Sequence, residues 1–211
     1  MLDTTMRARL TPVWDRSAAV LARVGVTPLA LTLTGLILAL GAAVAAGFAL
    51  WPLAAGLWLA SRVPDGVDGP LARLIDDESA FGGWADFTSD MAAYGSFVVG
   101  CAIGNPDAAV PLLILLLTYY INASSLLAYS AAADRGQLAP PDGRTFHFTR
   151  GLAEGTETIV AHALLALFPL WMSEIAWVFA AMVVITIGQR IRLARATLPR
   201  AGDRARSDVS S

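Results

Sequence analysis

An uncharged apolar stretch of 20 residues, Leu31 to Leu50, limits the possible folds of this chain more than any other part of its sequence. About 20 apolar residues in a helix are enough to cross the hydrocarbon core of a bilayer. The stretch is too long, and is followed by too many similar segments, to be a cleaved signal peptide. The whole chain is 56% hydrophobic, more than a soluble domain of 211 residues needs. We therefore expect an all-α, polytopic membrane protein.

Five further apolar segments follow the first one. They run from about Leu53 into an aspartate-rich stretch, from Gly82 to Ile103, from Val110 to Ala131, from Gly151 to Pro169 and from Ile175 to Ile191. The sequence thus predicts six transmembrane helices within a domain over residues 27–194. Residues 1–26 form a juxtamembrane segment before this domain. The arginine- and serine-rich tail, residues 195–211, is expected to be disordered.

The segment over residues 1–26 predicts an amphipathic helix. Thr11 and Pro12 are typical of a helix N-cap and the first helical position. Apolar residues recur at helical spacing at Leu10, Val13, Trp14, Ala18 and Leu21. Together with several arginines, this pattern favours a helix that lies on the membrane surface. The alternative is an ordinary helix packed against the protein, and the two interpretations are compatible.

The positions of the arginines predict the orientation in the membrane. All 15 basic residues are arginine, and with many alanines this composition is typical of a bacterial genome rich in G and C. Arginines lie at both ends of the chain, beside the aspartates and in the loop after the fourth segment, whereas the opposite turns contain none. By the positive-inside rule, both termini and the aspartate-rich stretch face the cytoplasm of a bacterial inner membrane. The net charge of −2 gives no indication of a nucleic-acid partner.

Four aspartates interrupt the second and third apolar segments, where charge is costly and usually serves function. A helix turns by about 100° per residue, so a helix over residues 65–73 would place five polar and small residues within an arc of about 140°. These residues are Asp65, Asp68, Gly69, Ala72 and Arg73. Gly82, Asp86 and Asp90 are spaced by four and form a second stripe. Two neighbouring helices would then direct four carboxylates at one point.

Four carboxylates so close together would repel one another, and hard divalent cations relieve that repulsion. Two Mg²⁺ or Mn²⁺ ions would balance the four charges and could clamp phosphoryl oxygens. Small residues at Gly69, Ala72 and Gly82 leave room beside the backbone, and Arg73 suits a phosphate. The alternative for this stretch is a plain turn, because Asp-Gly pairs such as those in PDGVDGP are common in turns.

The complete pattern resembles the signature of the CDP-alcohol phosphatidyltransferases at all eight positions, Asp65-x2-Asp68-Gly69-x2-Ala72-Arg73-x8-Gly82-x3-Asp86-x3-Asp90. The resemblance covers roughly residues 10–195. It implies an integral membrane enzyme of phospholipid biosynthesis, usually a homodimer. Such an enzyme moves a phosphatidyl group from CDP-diacylglycerol to an alcohol and releases CMP.

The resemblance also implies a role for each residue of the signature. Asp65, Asp68 and Asp86 resemble the metal ligands. Asp90 resembles the general base and is also expected to contact a metal. The CDP-binding positions are Gly69, Ala72, Arg73 and Gly82.

The signature does not indicate which alcohol is the acceptor. Arg150, Glu154, Glu157, Thr158 and His162 share one face of the fifth segment. Arg150 is a candidate for binding an acceptor phosphate, and Glu154 and Glu157 are candidates for holding hydroxyls or an amine. The alternative is that they cap and pair at the membrane edge. We expect His162 to be a hydrogen-bonded packing residue.

A polar stripe on the fourth segment is expected to join helices by hydrogen bonds. Its members are Tyr119, Asn122, Ser125 and Tyr129.

Three other functions compete with phosphatidyl transfer. The first is a metal-ion or cation transporter that uses the intramembrane aspartates. The second is the inverse chemistry, transfer from a CDP-linked small alcohol to diacylglycerol. The third is a catalytically silent membrane scaffold, which has no chemical need for all eight residues.

Overall fold

The computed structural model describes the backbone of residues 2–135, 152–153 and 155–198. Within these ranges all regular structure is helical, which confirms the all-α prediction. The helices are α1 Leu2–Arg23, α2 Pro28–Gly47, α3 Trp51–Leu74, α4 Ala80–Gly104, α5 Ala109–Arg135, α6 Gly155–Leu167 and α7 Met172–Thr197. Short 3-10 turns precede α5 and α7.

Three stretches among the described residues are long and apolar enough to cross a membrane. They are Pro28–Gly47, Pro106–Asp134 and Pro169–Thr197. Helix α6 is apolar but has only 13 residues. Helices α3 and α4 are longer, and each combines an apolar half with a half that carries aspartates. These helices indicate an integral membrane protein.

Helix α1 begins earlier than predicted. It starts at Leu2 and contains Pro12 in its interior, so the prediction of Thr11 as N-cap is wrong. The fixed φ of proline is compatible with helical backbone. An interior proline removes one hydrogen bond and crowds the carbonyl four residues earlier, at a cost of about 3 kcal/mol, but it does not end this helix.

The apolar side of α1 packs on α3. Ala18 is buried, and Trp14 and Leu21 contact the cluster that it forms with Val67 and Leu71. This confirms that α1 packs against the protein, the second of the two compatible interpretations. Its position at a membrane surface stays a prediction.

Small residues let α2 lie close to α4. A Cβ atom on Gly100 would overlap the backbone carbonyl of Ala43, and one on Gly104 would overlap that of Ala46. Helices in membranes associate through such small residues because close backbones gain van der Waals contact. Since α2 also packs along α3, it fixes the relative position of the two helices that carry the aspartates.

Helix α3 runs without interruption through Pro64 and Pro70 to Leu74. The interpretation of PDGVDGP as a turn is therefore wrong. The chain turns only after α3, over residues 75–79, where Asp76 adopts a left-handed conformation with φ of 55°. Ser79 then caps α4 by accepting a hydrogen bond of 3.0 Å from the backbone N–H of Gly82.

Aromatic rings fill the space between α3, α4 and α6. The imidazole of His162 is buried and stacks on Trp58 at a centroid distance of 4.6 Å. Its Nδ1 lies 2.8 Å from the carbonyl of Thr158, and its Nε2 lies 3.4 Å from that of Tyr94. The prediction that His162 is a hydrogen-bonded packing residue is confirmed.

The polar stripe on α5 joins this helix to α7. Arg190 donates to the carbonyl and the side-chain oxygen of Asn122 at 2.7 and 2.8 Å. The hydroxyls of Tyr129 and Thr197 are 3.1 Å apart. These contacts confirm the predicted hydrogen bonding between helices at Asn122 and Tyr129.

Candidate active site

Three aspartates converge where the C-terminal half of α3 faces the N-terminal half of α4. One carboxylate oxygen from each of Asp65, Asp86 and Asp90 lies within 4.8 Å of the other two. The side chains of Asp65 and Asp90 each keep 27% of their surface exposed, so the cluster is open to a ligand. Carboxylate oxygens are the ligands that Mg²⁺ and Mn²⁺ prefer, and this donor set fits a divalent cation.

Asp68, the fourth predicted ligand, stands apart from these three. Its side chain is buried, and Oδ2 accepts a hydrogen bond of 2.7 Å from the hydroxyl of Thr32 on α2. Its Oδ1 lies 2.7 Å from the backbone N–H of Gly69. Both oxygens of Asp68 are therefore held by donors of the protein.

Sequence reasoning missed Thr32. A signal was available, because Thr32 is a polar residue inside the uncharged apolar segment, and polar groups in such segments usually bond to another helix. Nothing in the sequence indicates which residue is the partner, since Asp68 follows 36 residues later.

Arg62 is the second residue that sequence reasoning missed. Its Nη1 lies 3.0 Å from Oδ1 of Asp90 and 3.6 Å from Oδ2 of Asp65, although the side chain is buried. The available signal was an arginine inside an apolar segment, three residues before Asp65 on the same helix. Two of the three converging carboxylates therefore share one guanidinium group.

Tyr94 is a further neighbour of Asp90. It follows Asp90 by one helical turn on α4, and its side chain interacts with the Asp90 carboxylate. The ring of Tyr94 also lies 5.6 Å from the guanidinium carbon of Arg62. Asp90 is thus held by one residue from each of the two helices.

The four residues predicted to bind CDP lie next to the aspartates. Gly69, Ala72 and Arg73 belong to the last turns of α3, and Gly82 belongs to the first turn of α4. Arg73 is exposed. With Asp15, Ala18, Pro70 and Leu74 it lines a cavity of about 230 Å³ between α1 and α3.

Helix α1 contacts α3 at Gly66, which is not itself a signature residue. A Cβ atom at this position would lie 2.9 Å from Cε2 of Trp14. Gly66 lies between Asp65 and Asp68 in sequence, so the position of the indole limits how the aspartate-bearing turn of α3 can move.

The predicted acceptor residues are described only in part. Arg150 and Glu154 lie outside the described residues. Glu157 lies in the first turn of α6 and is half-buried. His162, one turn further on, is enclosed by aromatic rings.

Two curated proteins resemble the chain over most of its length. The inner membrane protein YnjF of Escherichia coli is 36% identical over 196 residues, covering 90% of this chain and 94% of YnjF. The archaetidylinositol phosphate synthase of Pyrococcus horikoshii is 29% identical over 164 residues, covering 77% of this chain and 81% of the synthase.

Solved structures share the fold. The phosphatidylinositol phosphate synthase PgsA1 of Mycobacterium tuberculosis, in complex with manganese and citrate, aligns with a TM-score of 0.69. The identity is 22%, and the alignment covers 88% of this chain and 90% of PgsA1. A second PgsA1 structure, with CDP-DAG bound, also has a TM-score of 0.69. The family model for CDP-alcohol phosphatidyltransferase matches residues 25–188, so the chain is an enzyme that belongs to the CDP-alcohol phosphatidyltransferase family.

Proposed function

We propose that this chain transfers a phosphatidyl group from CDP-diacylglycerol to an alcohol and releases CMP. The observation that carries this proposal is the convergence of Asp65, Asp86 and Asp90 within 4.8 Å at the junction of two helices. Membership of the family supplies the reaction class. The choice of CDP-diacylglycerol as donor is supported by the fold shared with PgsA1, which has been solved with CDP-DAG bound.

Asp65, Asp68, Asp86 and Asp90 would hold two divalent ions, Mg²⁺ or Mn²⁺. The convergence of Asp65, Asp86 and Asp90 supports this assignment for three of the ligands, and PgsA1 has been solved in complex with manganese. Asp68 is included because it matches the metal-ligand position of the family signature. When bound, such ions supply the positive charge that stabilises a pyrophosphate and its leaving group.

The protein side chains have distinct tasks in the proposed reaction. Asp90 takes the proton from the acceptor hydroxyl. The acceptor oxygen forms a bond to the lipid-side phosphorus while the bond from that phosphorus to the CMP oxygen breaks, in one displacement without a covalent enzyme intermediate. Arg73 pairs with a donor phosphate, and Gly69, Ala72 and Gly82 let the nucleotide approach the backbone.

We further propose that six segments cross a bacterial inner membrane, namely α2 to α5, the stretch from Gly151 to Pro169 that contains the 13 residues of α6, and α7. At 1.5 Å per residue, the 24 and 25 residues of α3 and α4 exceed the roughly 30 Å of a bilayer core. In this topology both termini and the aspartates face the cytoplasm, residues 1–26 lie along the membrane surface, and residues 195–211 form a cytoplasmic tail. YnjF is named an inner membrane protein, which supports this location. We also propose that two copies of the chain form a homodimer, as the resemblance to the family implies.

The acceptor is best searched among small polyols and their phosphates. Arg150 is proposed to bind an acceptor phosphate, and Glu154 and Glu157 to contact hydroxyls. Inositol 1-phosphate is the first acceptor to test, because PgsA1 and the archaeal relative are both named as synthases of inositol phosphate lipids.

The test is CMP release by the purified full-length chain with CDP-diacylglycerol and Mg²⁺ or Mn²⁺. The acceptors to compare are inositol 1-phosphate, inositol, glycerol 3-phosphate, serine and simple polyols. We expect one acceptor to stimulate release, chelator to abolish it, and Asp90→Asn to remove it without loss of donor binding. Absence of both donor binding and CMP release would contradict the proposal.

A parallel reaction with a CDP-linked small alcohol and diacylglycerol tests the inverse chemistry. Turnover in that reaction alone would replace the proposed donor. The transporter and scaffold alternatives are set aside because the chain belongs to an enzyme family.

A further inference from the structure

The side chain of Arg62 is held in place by contacts on the side away from the aspartates. Its Nε donates to the hydroxyl oxygen of Ser61 at 3.1 Å, and that hydroxyl donates to the carbonyl of Trp58 at 2.6 Å. The guanidinium carbon lies 4.7 Å from the centroid of the Trp58 ring, a cation–π distance. Moving the guanidinium out of the site would break all of these contacts.

Trp58, which supports Arg62, is itself immobilised. Its side chain is buried, and the indole Nε1 donates to the carbonyl of Ile159 on α6 at 3.1 Å. One face of Trp58 stacks on His162. The guanidinium of Arg62 is therefore attached to the packed core, unlike that of the exposed Arg73.

The guanidinium nitrogen Nη1 of Arg62 contacts two carboxylates, which belong to different helices. Nη1 is 3.0 Å from Asp90 of α4 and 3.6 Å from Asp65 of α3. Both carboxylates belong to the cluster of three that fits a divalent cation. An arginine keeps its charge at all physiological pH values, so this positive charge is permanent.

We infer that Arg62 is a resident counter-ion of the metal centre. Its single positive charge offsets part of the repulsion between Asp65 and Asp90 and holds α3 and α4 together while no metal is bound, and it competes with a divalent ion for the same two carboxylates. The two helices then stay together without a metal ion, and the affinity of the site for metal is lower than it would be without the arginine. The inference rests on the proposed metal site, but it does not depend on the donor or the acceptor.

The test is a titration of the full-length protein with Mn²⁺ alone, followed by the electron paramagnetic resonance signal of free Mn²⁺. Neither CDP-diacylglycerol nor an acceptor is present, so turnover does not enter the result. The variant is Arg62→Gln, and the matched control is Arg23→Gln, which removes an exposed arginine at the end of α1.

We expect Arg62→Gln to bind Mn²⁺ at least about tenfold more tightly, because a positive charge within about 4 Å of the ligands is removed. Its melting temperature should fall in chelator and recover towards the wild-type value in saturating Mn²⁺. Arg23→Gln should change neither measurement. A residue that only supports the fold would give weaker metal binding and lower stability in both conditions.

Weaker or unchanged Mn²⁺ binding in Arg62→Gln would overturn the inference. If this variant does not fold, Arg62→Met is used instead, because it also removes the charge and keeps an apolar stem beside Trp58. The same increase in Mn²⁺ affinity is expected, and an unchanged or lower affinity contradicts the inference. Tighter Mn²⁺ binding without any CMP release would support this inference while counting against the proposed reaction. Loss of Mn²⁺ binding in every protein, wild type included, would contradict both.

Discussion

The hydroxyl of Thr32 donates a hydrogen bond of 2.7 Å to Oδ2 of Asp68, which connects the uncharged helix α2 to the acidic face of α3. The carboxylate is buried at this contact, so its orientation depends on a residue outside the eight-residue signature. Hydrogen bonds to the outer side of a metal ligand commonly fix its direction.

Replacing Thr32 by valine keeps the shape of the side chain and removes this donor. Because partners of this kind are worth about 10- to 100-fold in metal affinity or activity, we expect Thr32→Val to lower CMP release by that range. Steady-state rates at varied Mn²⁺ concentrations measure the effect. Thr34→Val is the matched control, since Thr34 is exposed on the same helix and donates to the carbonyl of Ala30. Equal activities for the two variants would show that the contact does not affect the site.

Asp90→Asn should lower the rate of turnover by about 10²- to 10⁴-fold, because an amide cannot accept the proton of the acceptor hydroxyl. Binding of CDP-diacylglycerol should be nearly unchanged and is measured separately, for example by isothermal titration calorimetry. The control is Asp77→Asn in the exposed loop between α3 and α4. Normal turnover in Asp90→Asn would exclude Asp90 as the base.

The packing of α2 on α4 predicts a stability effect at Gly100. Alanine at this position would force its Cβ against the carbonyl of Ala43, and such overpacking costs about 1–3 kcal/mol. Gly56→Ala is the matched control, because a Cβ there meets nothing within 4 Å. Thermal unfolding in detergent should show a lower melting temperature for Gly100→Ala, and an unchanged or slightly higher one for Gly56→Ala because alanine is the better helix former. The reverse order would mean that the two helices are not in close contact.

The contact of Trp14 with Gly66 predicts that α1 supports the site. Trp14→Ala removes the indole that packs on the aspartate-bearing turn, and we expect a loss of stability of roughly 0.5–3 kcal/mol together with reduced CMP release. Val13, the preceding residue, is 49% exposed, so Val13→Ala serves as the control. Unfolding curves and initial rates of the two variants give the comparison. Full activity and stability in Trp14→Ala would show that α1 is independent of the site.

The local part of the site follows from the sequence, because helical spacing depends only on positions along one chain segment. Asp86 and Asp90 lie one turn apart on α4, and Asp65 lies on the preceding helix, as their spacing predicts. The convergence of these three carboxylates could therefore be expected from the order and spacing of the residues. The membrane character of the chain follows as directly from its uncharged segments.

The sequence does not reveal contacts made by tertiary packing. Arg62 and Thr32 reach the aspartates because three helices pack closely, and no spacing rule links Thr32 to a carboxylate on the next helix. The error at Pro12 has a different cause. Its preference for the first turn of a helix is statistical, and an interior proline weakens or kinks a helix without always ending it.

The five-residue connection at residues 75–79 has a consequence for how this chain is made. It joins the two helix halves that carry the aspartates, so that charge lies on the side of one helical hairpin that includes its tip. With the topology proposed above, the hairpin enters the bilayer while its tip remains on the side where the ribosome works. None of these aspartates then has to cross the lipid during biosynthesis, which would be energetically costly for each charge.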